Sequence, residues 1–257
     1  MNASSPFTFP GEVFANIADF DQGIRLLLPH YDEMLEAIAQ SLPNSATQVL
    51  ELGCGTGELS LKVLDQRSSV ELVAVDYSRR MLTAAQAKIQ AAGFAEQLTW
   101  IEADFGNWAA GNEEVWPESP FDACVSSLAI HHLSDPMKLQ LFQQIYKCLK
   151  PGGCFWNADP ILPESPALAE IYQRVREAWT AQQGTTLAEV KAKTALGTAY
   201  GHSSHDHLAT LETHLALLRQ AGFQHVEVPW KYYGLAVFGG FKSLDDESKS
   251  IPKIMTG

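Results

Sequence analysis

A glycine-rich turn led by a carboxylate is the first stretch of the chain that could do chemistry. Gly53, Gly55 and Gly57 stand at alternate positions directly after residues 49–52, which are predicted to form a short buried strand. Residues 58–67 then follow a helical pattern. A strand, a glycine-rich turn and a helix form the opening of a βαβ unit that binds a nucleotide-like ligand. Glycine permits the backbone angles of so tight a turn and lets a ligand approach the main chain.

The glycine spacing argues against a dinucleotide. A dinucleotide site needs G-x-G-x-x-G, with the helix N-terminus facing a pyrophosphate, whereas this turn is G-x-G-x-G and follows Glu51. A carboxylate there suits a ligand with a cationic sulfonium and an amino group. The motif E-x-G-x-G-x-G resembles the first motif of the class I S-adenosylmethionine-dependent methyltransferases. The resemblance implies that Glu51, Gly53, Cys54, Gly55 and Gly57 bind S-adenosyl-L-methionine; the alternative is an ordinary glycine turn.

A second carboxylate follows the next predicted strand. Residues 70–75 are a nearly continuous apolar run, as in a central parallel strand covered on both faces. The run ends at Asp76, where two adjacent ribose hydroxyls can donate to one carboxylate. We place Asp76, Tyr77 and Met81 in the cofactor site, with Met81 against the adenine. The alternatives are that Asp76 caps the next helix, although Ser78 is better placed, and that Met81 belongs to the core.

Asp104 and Phe105 follow the third predicted strand. In the family that the chain resembles, an acidic residue here accepts a hydrogen bond from the adenine amino group, and the next residue flanks the ring. Such binding needs an acceptor and an apolar slot; a strand-terminating Asp with a buried Phe is the alternative. The fourth strand, 121–129, leads into segment 127–133, which resembles the family's fourth motif and begins at Ser127, a further cofactor-binding candidate.

Two adjacent histidines, His131 and His132, lie where a methyl donor and its acceptor would meet, because ligands of open α/β sheets sit beyond the carboxyl ends of the strands. We expect only one, His131, to face the site. Histidine near neutral pH can act as a general base on a hydroxyl or an amine. Asp159, after the fifth strand, is the second catalytic candidate. The alternatives are packing of the histidine pair and a turn role for Asp159.

The predicted fold is α/β: a doubly wound, Rossmann-like sheet of seven mostly parallel strands. The Leu-Lys-Pro-Gly-Gly turn at 149–153 is a further resemblance to the class I family. We predict a sixth strand at 225–230 and a seventh that includes Tyr232, Tyr233 and 235–238. The seventh is predicted to be antiparallel and to form the edge of the sheet, as in that family.

The predicted organisation is an N-terminal helical lid at 1–44, a methyltransferase domain at 45–242 and a polar tail at 243–257. A helical insertion at about 162–205 lies between strands five and six. Lids in this position often cover the cofactor in the family that the chain resembles. Arg25, His30 and Tyr31 could therefore reach the cofactor, and we count Arg25 and Tyr31 as cofactor-binding candidates. A surface ion pair for Arg25 and a core position for Tyr31 are equally compatible with the sequence.

Charge and composition limit the partners. The chain has 257 residues, a net charge of −12 and no run of four Lys or Arg, which disfavours nucleic acid. The four cysteines form no C-x-x-C pair and are expected to be free thiols of a cytoplasmic protein. We expect no secretory signal and no membrane span. His202, His205 and His207 could share an ion, but no second ligand cluster is evident, so we predict no metal site.

These motifs predict an enzyme that transfers a methyl group from S-adenosyl-L-methionine to a small molecule; the sequence does not indicate its oligomeric state. One alternative is an enzyme of the same fold that builds or uses a carboxylated S-adenosylmethionine, in which Arg25 or Lys242 would hold the extra carboxylate. Another is a non-catalytic S-adenosylmethionine-binding module. The glycine spacing disfavours NAD.

Overall fold

The computed structural model describes residues 17–110, 120–194 and 206–245, and contains a seven-stranded sheet in this part of the chain. The strands are β1 Gln48–Leu52, β2 Glu71–Asp76, β3 Leu98–Glu102, β4 Phe121–Ser127, β5 Leu149–Pro160, β6 Gln224–Tyr232 and β7 Leu235–Phe241. Their order is β3-β2-β1-β4-β5-β7-β6. The first five are parallel, and β7 is antiparallel to both of its neighbours. The predicted doubly wound sheet is confirmed.

Nine α-helices are found among the described residues. They are α1 Ile17–Leu27, α2 Tyr31–Ser41, α3 Glu58–Gln66, α4 Arg79–Ala91, α5 Phe105–Ala109, α6 Asp135–Cys148, α7 Pro166–Gln182, α8 Leu187–Thr194 and α9 Leu211–Ala221. The predicted helical insertion thus contains α7 and α8. None of these helices is both long and apolar enough to cross a membrane.

Two hydrophobic clusters cover the two faces of the sheet. Side chains alternate between the faces of a strand, so Val49 packs into the cluster that includes α1 to α3, and Leu50 into the cluster that includes α6 and α9. Both side chains are fully buried. Burial on both faces explains why residues 72–75 of β2 are apolar without polar alternation.

The last two strands differ from the prediction. The seventh strand is antiparallel as expected, but β7 lies between β5 and β6, so the predicted edge position is wrong and β6 forms the edge. Burial gives the reason: β7 is buried from Leu235 to Gly240, whereas exposed and half-buried residues alternate along most of β6. Tyr232 ends β6 rather than beginning β7, and Tyr233 turns the chain with a φ of 47°.

A group of charged side chains fixes α1 to the helix that follows the glycine turn. Arg25 lies 2.5 Å from Glu58 and also pairs with Asp32. Lys88 of α4 contacts Glu58 and lies 2.6 Å from Asp21. Burial would raise the pKa of Glu58, but Lys88 and Arg25 outweigh it and hold that pKa below its ordinary value. The carboxylate of Glu58 is therefore ionised and joins α1, α3 and α4.

Several sequence predictions lie outside the described residues: His202, His205, the lead at 1–12 and most of the polar tail, 246–257. The four cysteines, which the structure does describe, are unpaired as expected; three are buried, and Cys148 is partly exposed.

Candidate active site

A cavity of about 370 Å³ opens at the carboxyl ends of the parallel strands. The loops after β1, β2, β3 and β4 form most of its wall. Another part of the wall comes from α1, the residue after it and the start of α2, which contribute Ile24, Leu27, Leu28 and Tyr31; Met137, Pro160 and Asp206 also line the cavity. The site is therefore built where open parallel sheets bind ligands, with an apolar helical cover.

Glu51 lines this cavity from a position near the carboxyl end of β1. Its side chain is 1% exposed and accepts a hydrogen bond from Ser60 Oγ at 2.5 Å. Burial raises the pKa of Glu51 to about 8, and the neighbouring Asp76 adds to the rise. A positively charged ligand group beside Glu51 would favour its ionised form.

The glycine turn is fixed by backbone contacts that exclude a side chain. The backbone N–H groups of Gly53 and Cys54 donate to the carbonyl of Val75 at 2.8 and 3.0 Å. Gly53 has a φ of 68°, and a Cβ added there would lie 2.3 Å from the Cβ of Ala129. Glycine is thus required at 53 for two reasons: a left-handed backbone and the close approach of the β4 loop.

Asp76 ties the glycine turn to the second strand. Its carboxylate accepts from the backbone N–H groups of Gly55 and Ser78, both at 2.8 Å. Ser78 caps α4, since its hydroxyl accepts from the Met81 N–H at 3.3 Å. The sequence interpretation of Ser78 as the helix cap is therefore confirmed, and Asp76 is left beside the cavity.

Asp104 and Phe105 follow β3, and Phe105 lies close to the glycine turn: a Cβ added at Gly53 would be 3.4 Å from Phe105 Cε1. Asp104 caps the short helix α5 by accepting from the Gly106 N–H at 2.7 Å, and the Phe105 side chain is 8% exposed. Both residues line the cavity.

His131 and Asp159 form a buried pair behind the mouth of the cavity. His131 Nδ1 lies 2.6 Å from Asp159 Oδ1, and Asn157 Nδ2 donates to the other carboxylate oxygen at 2.8 Å. Burial opposes ionisation of Asp159, but the charge and hydrogen bond of His131 outweigh it and lower its pKa. The ionised carboxylate can only accept, so Nδ1 donates and Nε2 is left as the second ring nitrogen.

The carboxylate of Asp159 also affects the pKa of the His131 imidazole. Burial alone would lower the pKa of His131, but the carboxylates of Asp159 and Asp206 outweigh it and raise that pKa. The pair therefore favours the imidazolium that forms when Nε2 accepts a proton.

The expectation that only one of the adjacent histidines faces the site is wrong, since both line the cavity. The reason is local backbone geometry. Leu128 leaves β4 with a left-handed φ of 54°, and Ile130–His132 form a 3₁₀ turn. Its three residues per turn do not direct successive side chains to opposite faces, as a strand would.

Asp206 is a site residue that the sequence interpretation missed. Its side chain is 4% exposed and lies 2.9 Å from His132 Nδ1. The backbone N–H of His207 donates to the His131 carbonyl at 2.8 Å, and the buried ammonium of Lys138 contacts the His207 carbonyl. These contacts fix Asp206 beside the histidines, 74 residues after His132 in the sequence.

The site residues predicted from the sequence divide into those that line the cavity and those that do not. Those that line the cavity are Tyr31, Glu51, Gly53, Cys54, Gly55, Asp76, Tyr77, Met81, Asp104, Phe105, Ser127 and His131. Arg25, Gly57 and Asp159 do not line it: Arg25 is held in ion pairs, Gly57 caps α3 with a φ of 80°, and Asp159 lies behind His131. Arg25 therefore lies outside the cavity wall, and Asp159 contacts His131 rather than the cavity.

Ionisation of Glu51 is expected to destabilise the free protein as pH rises. Its pKa of about 8 in the folded chain exceeds an unfolded value of roughly 4.3. As pH rises, the unfolded state therefore releases this proton before the folded state does. The stabilisation that comes from the raised pKa of Glu51 is complete below the unfolded pKa and is lost as pH rises through the folded pKa. The expected slope is about 1 kcal/mol per pH unit between the two pKa values.

Urea denaturation of the wild type and of Glu51→Gln at pH 5.5, 6.5 and 7.5 measures this slope. The difference between the two proteins isolates Glu51, because the other titrating groups are common to both. Equal pH dependence of the two would contradict the raised pKa.

A comparison with known protein families matches this architecture. A family model described as a methyltransferase domain matches residues 49–153, the span from β1 to the turn within β5. With the sheet order and the cavity, this match identifies a domain of the class I S-adenosylmethionine-dependent methyltransferase type in this part of the chain.

Individual relatives extend the match. The chain is 24% identical over 238 residues to the carboxy-S-adenosyl-L-methionine synthase of Campylobacter lari, covering 90% of this chain and 94% of that protein. It is 33% identical over 144 residues to the biotin biosynthesis bifunctional protein BioHC of Teredinibacter turnerae, covering 53% of this chain and 24% of that one. The structure of an O-methyltransferase family protein from Burkholderia thailandensis superposes with a TM-score of 0.64 at 14% identity. The match covers 90% of this chain but only 60% of that protein.

Proposed function

We propose that the cavity binds S-adenosyl-L-methionine and that the protein transfers its methyl group to a small-molecule acceptor. The observation that carries the proposal is the convergence of three carboxylates, from the loops and ends of β1, β2 and β3, on one cavity that His131 borders. Among the described lining residues there is no Lys or Arg. A cavity with this charge suits a ligand that carries a sulfonium and an ammonium group.

Each of the carboxylates has a distinct proposed partner. Glu51 faces the positively charged part of the cofactor, since it is the most deeply buried of the three. Asp76, at the end of the second strand, accepts from the two ribose hydroxyls. Asp104 accepts from the adenine amino group, and Phe105 and Met81 flank the ring. The left-handed glycine turn admits the ligand to the main chain at Gly53.

S-adenosyl-L-methionine, when bound, supplies a methyl group that its sulfonium has already activated. The walls of the cavity hold an acceptor in line with that methyl, so proximity and orientation account for most of the rate. For an acceptor that must lose a proton, His131 Nε2 takes it. Asp159 does not touch the acceptor; it orients the ring of His131 and stabilises the imidazolium.

Synthesis of a carboxylated S-adenosylmethionine is the second candidate function. It is favoured by the relative from Campylobacter lari, which bears that name and matches 90% of the chain. Such a product needs a cation beside its extra carboxylate. Arg25 is paired with acidic residues, and Lys242 Nζ donates to the carbonyls of Tyr146 and Leu149; neither lines the cavity.

Two measurements test these proposals. Release of S-adenosylhomocysteine in a screen of small hydroxyl, amine, thiol and carbon acceptors is the expected result, and no release with any class would favour a non-catalytic binding module. Mass spectrometry of the native protein with its bound ligand separates the second candidate. A bound ligand heavier than S-adenosylmethionine by a carboxylate would overturn methyl transfer as the main activity.

A further inference from the structure

Three potential metal ligands meet at the end of the cavity that borders β4 and β5. His131, His132 and Asp206 each offer one ligand atom, and these atoms all lie within 4.8 Å of one another. The carboxylate oxygen of Asp206 is 2.9 Å from His132 Nδ1 and 3.7 Å from His131 Nε2. Ligand atoms around a tetrahedral Zn²⁺ with bonds of about 2.0–2.1 Å lie roughly 3.3 Å apart, and the observed separations fall on either side of that value.

The contacts of Asp206 with the two rings lack the geometry of good hydrogen bonds. His132 Nδ1 is buried and lacks a hydrogen-bond partner with acceptable geometry, although the Asp206 oxygen is close to it. The distance from His131 Nε2 to the same carboxylate exceeds the range of a hydrogen bond. One cation between the three groups would give the His132 nitrogen a partner.

His131 also has the outer contact that metal-binding histidines usually have. Its Nδ1 donates to the ionised Asp159, which Asn157 holds from the other side. Such a carboxylate fixes the tautomer and the ring orientation of a ligating histidine and raises its basicity. The lone pair on Nε2 therefore points away from Asp159, on the side of the ring where Asp206 lies 3.7 Å away.

We propose that His131, His132 and Asp206 form a binding site for a divalent first-row transition ion, with Zn²⁺ the best match. Two imidazole nitrogens and one carboxylate oxygen suit such ions better than Mg²⁺ or Ca²⁺, which prefer oxygen ligands. The other coordination positions face the cavity. The expectation of no metal site is revised because Asp206 supplies the missing acidic ligand from a distant segment.

The ion and the proton compete for the same nitrogen. With Zn²⁺ on Nε2, His131 cannot accept a proton from an acceptor, so the ion inhibits methyl transfer to acceptors that need a base. The proposal that a metal ion binds depends only on the arrangement of the three ligands. The proposal that the ion inhibits methyl transfer rests on the proposed function.

Titration of the tag-free, chelator-treated full chain with Co²⁺ tests the site directly. The expected result is one equivalent bound, with the visible absorption bands of Co²⁺ in a nitrogen and oxygen environment, and displacement by Zn²⁺ but not by Mg²⁺. His132→Ala and Asp206→Asn each remove a ligand and are expected to weaken Co²⁺ binding at least as much as loss of an outer-shell partner, about 10- to 100-fold. His225→Asn, on exposed β6, is the control and should bind normally.

Two results would overturn the metal site: no Co²⁺ absorption with the wild type, or unchanged affinity in both variants. Thermal unfolding and S-adenosylmethionine binding check that the variants are folded, and the wild-type titration stands without them. Failure of the two proposals is distinguishable. If the protein binds Co²⁺ but never releases S-adenosylhomocysteine, the metal site stands and the proposed methyl transfer is excluded. If it releases S-adenosylhomocysteine but does not bind Co²⁺, methyl transfer stands and the metal site is excluded.

Discussion

Replacement of His131 by glutamine is expected to lower kcat for S-adenosylhomocysteine release by about 10²- to 10⁴-fold, the usual contribution of a general base. Glutamine keeps a hydrogen bond to Asp159 but cannot accept the proton of the acceptor. The Kd for S-adenosyl-L-methionine should stay unchanged, because the three carboxylates proposed to hold the cofactor are untouched. Single-turnover kinetics with an acceptor that loses a proton, together with calorimetric titration of the cofactor, measure both quantities.

Two further variants separate a chemical role from a structural one. Asp159→Asn should also lower kcat, by about tenfold or more, because the ring of His131 loses its fixed tautomer. His225→Asn should have no effect, since His225 is exposed on β6 and asparagine tolerates its left-handed φ of 48°. Normal kcat in His131→Gln with a hydroxyl or amine acceptor would exclude the base.

Substitution of Gly53 by alanine is expected to weaken cofactor binding by about 10- to 100-fold, an energy of roughly 1.4 to 2.8 kcal/mol. The left-handed backbone alone costs about 1–2 kcal/mol for a residue with a Cβ. The new Cβ would lie 2.3 Å from the Cβ of Ala129, so the glycine turn or the β4 loop must also move. Both lie on the wall of the cavity, and calorimetric titration with S-adenosylhomocysteine measures the loss.

Gly93→Ala is the matched control for backbone strain. Gly93 has a φ of 86° just after α4, and no atom lies within 4 Å of an added Cβ. It does not line the cavity. This variant should lose thermal stability and keep its cofactor affinity. Equal cofactor affinity in Gly53→Ala and the wild type would show that the turn does not contact the ligand.

The central part of the fold is predictable from the sequence because its signals are local. Residues 70–75 are apolar except for Glu71, and Ser78 lies at the start of a helical pattern; the structure contains β2 and α4 at these places. The position of β7 depends instead on which strand pairs with β5. No short stretch of sequence specifies that choice, although the almost uninterrupted burial of β7 agrees with it.

The candidate site divides in the same way. Glu51, Asp76 and Asp104 stand at fixed positions relative to predicted strands, so parallel pairing alone brings them to one edge. Asp206 contacts His132 although more than seventy residues separate them in the sequence. No local motif or spacing therefore predicts this contact. The nearest signal was the cluster of polar residues from His202 to His207, and it led to the histidines of that segment rather than to its aspartate.

The sequence does not specify whether the Arg25 guanidinium contacts a cofactor or an acidic side chain. Its spacing on α1 allowed contact with a cofactor or with an acidic neighbour. Glu58 and Asp32 hold the guanidinium in the structure, because two carboxylates lie within 2.9 Å of it.

The attachment of α1 has a consequence for the pace of catalysis. Ile24, Leu27 and Leu28 form part of the wall around the proposed cofactor, while Asp21 and Arg25 of the same helix are anchored to Lys88 and Glu58. A movement of this wall away from the cavity would have to separate these ion pairs together. If release of the spent cofactor requires this movement and limits turnover, added salt is expected to raise kcat, because salt weakens the ion pairs.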